Sequence, residues 1–267
     1  MGAMKTFTTA WQAFRHERGM SRIVLLNFMA NLVAMFLIRL TGVNIPYLAL
    51  HPLASGLANR VLQYRFLIPF LIVTFVVQPF ILSATLNSLN EARNDRFVIE
   101  GYFQNGVRYF GKSLIFKIIT YLVFIVSTFI SLVIVEVFSR AFQLFGLVIA
   151  IALVLPGWIY SAEFLLALMV KYVSGAEENG SLGISISKSL LFANKNYFSM
   201  IALLLIVFCA QTAALILNVI LGGIPVIGIF LSVLVTVAIS LLSLLTVMIF
   251  ILSNKPSAQG VSVLRQS

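Results

Sequence analysis

Long apolar runs separated by short polar segments dominate this chain. A membrane-spanning helix needs roughly 20 mostly apolar residues. Six runs approach that length: Ile23–Ile38, Phe66–Thr85, Leu114–Val135, Phe145–Val170, Met200–Leu221 and Ile224–Ile251. The first is short and carries Asn27 and Asn31. The last two are separated by GGIPVIG, where Gly222, Gly223 and Pro225 suit a tight turn, so the long apolar stretch there reads as a hairpin of two spans. The pattern predicts an all-α polytopic membrane protein, a single integral membrane domain over residues 1–267 with six transmembrane helices in three hairpins.

The segments that lead into the first, third and fifth runs resemble one another. They are TTAWQAFRHERGMSRIVLLNF, EGYFQNGVRYFGKSLIFKIIT and ISISKSLLFANKNYFSMIALL. Each mixes small, polar and aromatic residues at near-helical spacing and carries positive charge, and the second and third share Tyr-Phe at Tyr109-Phe110 and Tyr197-Phe198. That pattern predicts amphipathic helices lying in the membrane interface, aromatic side inward and Lys or Arg toward headgroups. The expected plan is three units, each an interfacial helix on the cytoplasmic face followed by a two-span hairpin. TGVNIPYLALHPLASGLANRVLQYR, between the first two runs, reads as an outer loop with no room for a catalytic domain.

Composition strengthens this picture. The chain is 61% hydrophobic and only 10% charged, with 18 Lys and Arg against 8 Asp and Glu and a net charge of +10. Mean hydropathy is +1.06 and the pI about 10.1. Too much apolar surface is present for one aqueous core, so lipid must solvate most of it. The positive charge is then best read as cytoplasmic loops that meet anionic lipid, with no basic–aromatic groove for nucleic acid. Placing the N-terminus inside gives that side Lys5, Arg15, Arg93, Arg108, Lys112, Lys188 and Lys195 among others, and leaves Arg39, Arg60, Arg65 and Arg140 outside. Both termini are therefore expected in the cytoplasm of a bacterium, the protein sitting in its inner membrane. Membrane lipids are the expected partners, together with another membrane protein.

Other chemistry is sparse. The single cysteine, Cys209, excludes an intrachain disulfide, and His16 and His51 are far apart and lack metal-binding context. MGAMKT fits a loose acylation pattern, of little use to a chain that already spans the membrane. The run from Ile23 is too long for a cleaved signal, and no small-x-small site follows it. Glu177 and Glu178 fit a solvated turn. No nucleophile–base pair, carboxylate pair or phosphate loop occurs, so no enzyme activity and no cofactor is expected.

The polar residues inside the apolar runs are the informative ones. WIYSAEFLLALMV, Trp158–Val170, contains a carboxylate, Glu163. A charge at the centre of a span costs roughly 2.5–3.5 kcal/mol on insertion scales, so such groups turn inward and find partners. Glu163 lies roughly 12 Å in from the cytoplasmic end and Lys117, on the preceding run, roughly 6 Å in, at 1.5 Å per residue. A lysine stem can bridge that difference. Lys117 shares a helix face with Tyr121, Phe124, Thr128 and Ser131; Glu163 shares one with Pro156, Tyr160 and Ala167. The expectation is a Lys117–Glu163 pair, with Tyr121 or Tyr160 as a further donor. Three readings of these groups stand: a structural lock, a proton- or cation-coupling group of a transporter, or an unpaired carboxyl with Lys117 snorkelling to headgroups. Asn27, Asn31, Gln78, Gln211 and Asn218 either join them around a polar cavity or bond pairwise between helices. The stripe Ser232, Thr236, Ser240 and Ser243 suits close helix packing.

The C-terminal part also carries a family likeness. Pro156-Gly157 opens an apolar segment, the acidic loop GAEENGSLG follows, then ISISKSLLFANKNYFSM with Ser189 seven residues before Asn196-Tyr197, then the Gly-Ile-Pro-Val-Ile-Gly turn and a final apolar helix. This order resembles the YciC-like bacterial inner-membrane proteins and the related membrane domain of glycerophosphoryl diester phosphodiesterases. The likeness is closest over about the last 110 residues. It implies a fold and a location, and it does not carry the enzyme name across, because the catalytic domain of those phosphodiesterases is a separate soluble one. Two functions follow: a non-enzymatic organising or accessory membrane protein, or a small transporter or lipid-handling protein built around Glu163.

Overall fold

A computed structural model describes residues 2–39, 69–93, 96–174, 181–222 and 227–254. The expected outer loop, His51, the Glu177–Glu178 turn and residues 223–226 of the hairpin turn lie outside the described residues. Every regular element among the described residues is helical. The helices are α1 (Ala3–His16), α2 (Arg18–Arg39), α3 (Pro69–Ala92), α4 (Ile99–Arg108), α5 (Phe110–Arg140), α6 (Phe145–Val173), α7 (Leu182–Gly222) and α8 (Ile227–Ser253).

Five of these are long and apolar enough to cross a membrane among the described residues: Pro69–Ala92, Phe110–Arg140, Phe145–Val173, Leu182–Leu221 and Phe230–Ser253. The chain is an integral membrane protein of helical type. The first expected run, Ile23–Ile38, lies within α2 (Arg18–Arg39), whose described apolar part is Gly19–Ala34.

The expected interfacial segments take two forms. α1 ends at His16 and α4 at Arg108, each separated by one non-helical residue from the helix that follows. The third segment has no such break: the helix runs from Leu182 straight to Gly222. Ser181–Ser199 holds no proline, and its lone glycine, Gly183, falls in the first turn, so nothing interrupts propagation. α7 is therefore about 60 Å long, twice the thickness of a hydrocarbon core.

Two widened turns interrupt the spans. In α3, residues Val73–Val77 form a π turn, and the Gln78 N–H donates to the Val73 carbonyl. Pro79 follows directly; it lacks an N–H, and its ring would crowd the carbonyl one turn back, which the wider turn relieves. A second π turn, Met169–Val173, ends α6. Between α5 and α6 the chain reverses at Gln143, whose φ of 50° and ψ of −129° place a non-glycine residue in a region costly for an L side chain.

Packing divides the chain into two compact units. One contains Met1–His16, Ile115–Ala213 and Ile239–Ser267; the other contains Glu17–Leu114 and Ala214–Ala238. In the second unit, α4 packs closely on the C-terminal half of α3, and α2 packs on α3. Met20, Ile23, Leu86, Leu89 and Tyr102 form its buried centre. The close approach of α3 and α4 requires Gly106: a Cβ there would lie 2.5 Å from the Phe80 ring, and the Gly106 carbonyl accepts a bond of 3.0 Å from Ser83 Oγ. In the first unit, Ala167, Leu168, Phe192, Leu203, Leu245 and Phe250 are buried, while the outer faces of α5 and α6 expose Leu122, Phe129, Leu132, Leu153 and Leu155. In water that exposure would be untenable; in a bilayer it is the lipid-facing surface.

Candidate functional site

The α5–α6 hairpin is held by polar rungs in an apolar wall. Trp158 Nε1 donates to Ser131 Oγ at 2.8 Å, Ser127 and Ser161 hydroxyls approach to 3.4 Å, and the Trp158 ring meets Phe124 edge-on with centroids 5.3 Å apart. Indole and hydroxyl bonds of this kind suit an environment without water to compete.

Those rungs fix the antiparallel register, and the register corrects the expected ion pair. With Ser127 opposite Ser161 and Ser131 opposite Trp158, Glu163 stands level with Ile125, and Lys117 lies about two turns, or roughly 12 Å, away along the helix. Lys117 instead places its ammonium 5.5 Å from the centre of the Tyr121 ring, a cation–π contact on its own helix. Glu163 is fully buried, and neither carboxylate oxygen has a hydrogen-bond partner. The Lys117–Glu163 bond is not formed, and neither Tyr121 nor Tyr160 donates to the carboxyl. An ion pair does form at the far end of α5, between Glu136 and Arg140, but on an exposed face one turn apart, where it contributes little.

Among the described residues, the cation that is buried is Lys171. Its ammonium donates to the Lys188 carbonyl at 2.7 Å and lies 4.9 Å from the centre of the Phe192 ring, which in turn meets Phe250 edge-on at 6.1 Å. From the sequence Lys171 reads as a charge flanking the membrane. The π turn Met169–Val173 takes it inward, and every residue from Ala167 to Ser174 is buried.

Most of the intramembrane amides donate to a local partner, while Asn218 Oδ1 is buried without one. In the second unit, Asn27 Oδ1 accepts from Thr85 Oγ1 at 2.8 Å, its amide donates to the Ile23 carbonyl, and Asn31 donates to the Asn27 carbonyl. Asn218 donates to Thr236 Oγ1 at 2.7 Å, and Gln78 is exposed beside the π turn. In the first unit, Gln211 donates to Ser243 Oγ at 3.2 Å. The serine–threonine stripe of α8 thus supplies acceptors for amides on α7. Of the residues expected around one polar cavity, Tyr160 alone lines the hollow that the first unit presents, about 500 Å³ bounded by Pro156, Tyr160, Asn194, Tyr197 and Phe198.

A second polar cluster, not singled out from the sequence, lies where α3 meets α4. Asn105 donates to Glu91 at 2.8 Å, and Tyr102 is almost wholly enclosed, its hydroxyl beside Thr85 but outside hydrogen-bond geometry. The run SATLNSLN at the end of α3 was the available signal: five hydroxyls and amides in eight residues ask for partners. Burial pushes the Tyr102 hydroxyl above its ordinary value of 10.0, with Thr85 working in the other direction. A proton held more tightly in the folded state contributes stability that is intact below about pH 10 and lost as pH climbs through the folded value. Tyr102→Phe protein should therefore lose less thermal stability than the parent between about pH 9 and 11; parallel melting curves over that range would refute the assignment.

Comparison of the chain with family models, with curated proteins and with solved structures returns no significant match.

Proposed function

We propose that this chain is a non-enzymatic inner-membrane protein of the YciC-like kind, with both termini cytoplasmic, which organises or assists membrane components through contacts with lipid or with a partner membrane protein. The observation that supports it is α4. Its inner face buries Tyr102, Asn105 and Gly106, while Ile99, Phe103 and Val107, spaced one turn apart, are exposed, Val107 by 72%. Arg108 and Lys112 flank the Tyr109 ring at 5.4 and 5.6 Å, where α4 gives way to the first turn of α5. An apolar stripe bordered by cations at the head of a span is the signature of a helix lying among headgroups.

A spin label at position 103, introduced as Phe103→Cys in a Cys209→Ser background, tests this in vesicles. The label should collide with lipid-soluble oxygen far more than with a water-soluble nickel chelate. Preferential collision with the chelate would place the stripe in water and remove the basis for the reading.

Glu163 supports the second reading, a small transporter or lipid-handling protein. A fully buried carboxyl without a hydrogen-bond partner serves packing poorly, since it adds desolvation cost and no bond. Glu163→Gln separates the two: an organising protein keeps its cellular activity, and a coupling carboxyl loses it while the fold survives.

A further inference from the structure

The hollow is lined by Pro156 and Tyr160 of α6 and by Asn194, Tyr197 and Phe198 of α7, and Glu163 follows Tyr160 by about one turn. Two contacts fix how these helices run against each other: Tyr197 Oη donates to the Pro156 carbonyl at 3.4 Å, and Lys171 reaches the Lys188 carbonyl at 2.7 Å. Between these anchors Glu163 falls level with Phe192 and Ala193, both buried, about one turn from Asn194 and Tyr197. It also follows Tyr160 by three residues on the same face of α6. Helical side chains lean toward the N-terminus of their helix, so Glu163 leans over the turn that carries Tyr160, enclosed behind the residues that line the hollow.

The hollow offers three aromatic rings, Tyr160, Tyr197 and Phe198, with the Pro156 ring and the Asn194 amide. Phe198 is 84% exposed, so the hollow opens outward. Aromatic faces attract cations, most strongly where water is scarce. A buried carboxyl without a partner is the missing half of such a site, because only positive charge offsets its desolvation. An anionic headgroup would add a like charge above Glu163.

We propose that this hollow seats the ammonium headgroup of an aminophospholipid, held by the Tyr160, Tyr197 and Phe198 rings, with Glu163 beneath them as counter-charge. The lipid tails run along the exposed apolar surface of α6, past Leu153, which shares the face of Pro156. This rests on the lipid-contacting reading above and narrows it to one headgroup class.

The test uses the full-length protein reconstituted in vesicles of equal phosphatidylethanolamine and phosphatidylglycerol, extracted gently, with retained lipids counted by native mass spectrometry. Phosphatidylethanolamine should be enriched over phosphatidylglycerol by roughly tenfold, the ratio that a cation–π contact of about 1.4 kcal/mol gives. Tyr160→Leu and Tyr197→Leu should return the ratio to that of the vesicle, and Glu163→Gln should lower it several-fold, each with helicity and thermal midpoint retained. Equal retention of the two lipids by the parent protein overturns the proposal, as does an enrichment unchanged in both tyrosine variants. Because Glu163→Gln keeps the shape of the carboxyl, a loss there reports charge and not collapse. If selectivity is absent while the label at position 103 still reports lipid, the headgroup assignment alone fails; if that label reports water, the broader reading fails with it.

Discussion

Glu163→Met should raise the thermal stability of the protein in a detergent free of amine-bearing lipids. Glu163 is fully enclosed, and its two oxygens have no hydrogen-bond partner. A buried polar group left unsatisfied costs about 1–3 kcal/mol, and more if charged. Methionine has nearly the same length, no charge and a flexible thioether, so it fills the volume without forcing its neighbours aside. The expected gain is about 1–3 kcal/mol, read as a higher melting midpoint. A lower midpoint would show that the carboxyl makes a stabilising contact after all. In bilayers rich in phosphatidylethanolamine the gain should shrink, because a bound ammonium offsets part of the cost that the substitution removes.

The second large effect is expected at the turn between α5 and α6. A Cβ on Gly146 would lie 1.9 Å from the carbonyl oxygen of Phe138, and backbone cannot swing aside as a side chain can. Gln143 already holds a positive φ of 50° three residues earlier, so the turn has little freedom to absorb a shift. Gly146→Ala should cost at least about 1–3 kcal/mol and displace the two helices relative to each other. A cross-link reads this directly. With Ser127→Cys and Ser161→Cys in a Cys209→Ser background, the side chains that now meet at 3.4 Å should oxidise readily to a disulfide. Adding Gly146→Ala should cut that yield severely; an unchanged yield would show that the turn tolerates a side chain.

How far the sequence goes is visible in these same elements. Phe145–Val170 reads as a span because lipid tolerates only a self-satisfied apolar helix, and the structure extends it by three residues at its C-terminus. The stretch Ile23–Ile38 lies in the single helix α2, where Asn27 meets Thr85 and Asn31 bonds back to the Asn27 carbonyl. The unbroken α7 and the inward turn of Lys171 were out of reach, since both depend on how turns widen or continue, which hydrophobic periodicity does not report. The enclosure of Glu163 follows from the cost of exposing a carboxyl to hydrocarbon. Its expected partner fails for a geometric reason. The ends of the apolar runs put the two groups four residues apart in depth, whereas the rungs Ser127–Ser161 and Trp158–Ser131 put them about two turns apart, roughly 12 Å, beyond the reach of a lysine stem. The pairs Ser127–Ser161 and Trp158–Ser131, which settle the register, look from sequence like ordinary small-residue packing.

The central claim is that Glu163 is buried without the Lys117 ammonium. A double-mutant cycle measures that coupling most directly: the parent protein, Glu163→Gln, Lys117→Met and the double variant, each melted in the same detergent. The register predicts additive effects, with a coupling energy within about 0.5 kcal/mol of zero. A coupling above about 1 kcal/mol would mean that the two charges meet in the folded protein, and would contradict the helix register on which this account of the bundle stands.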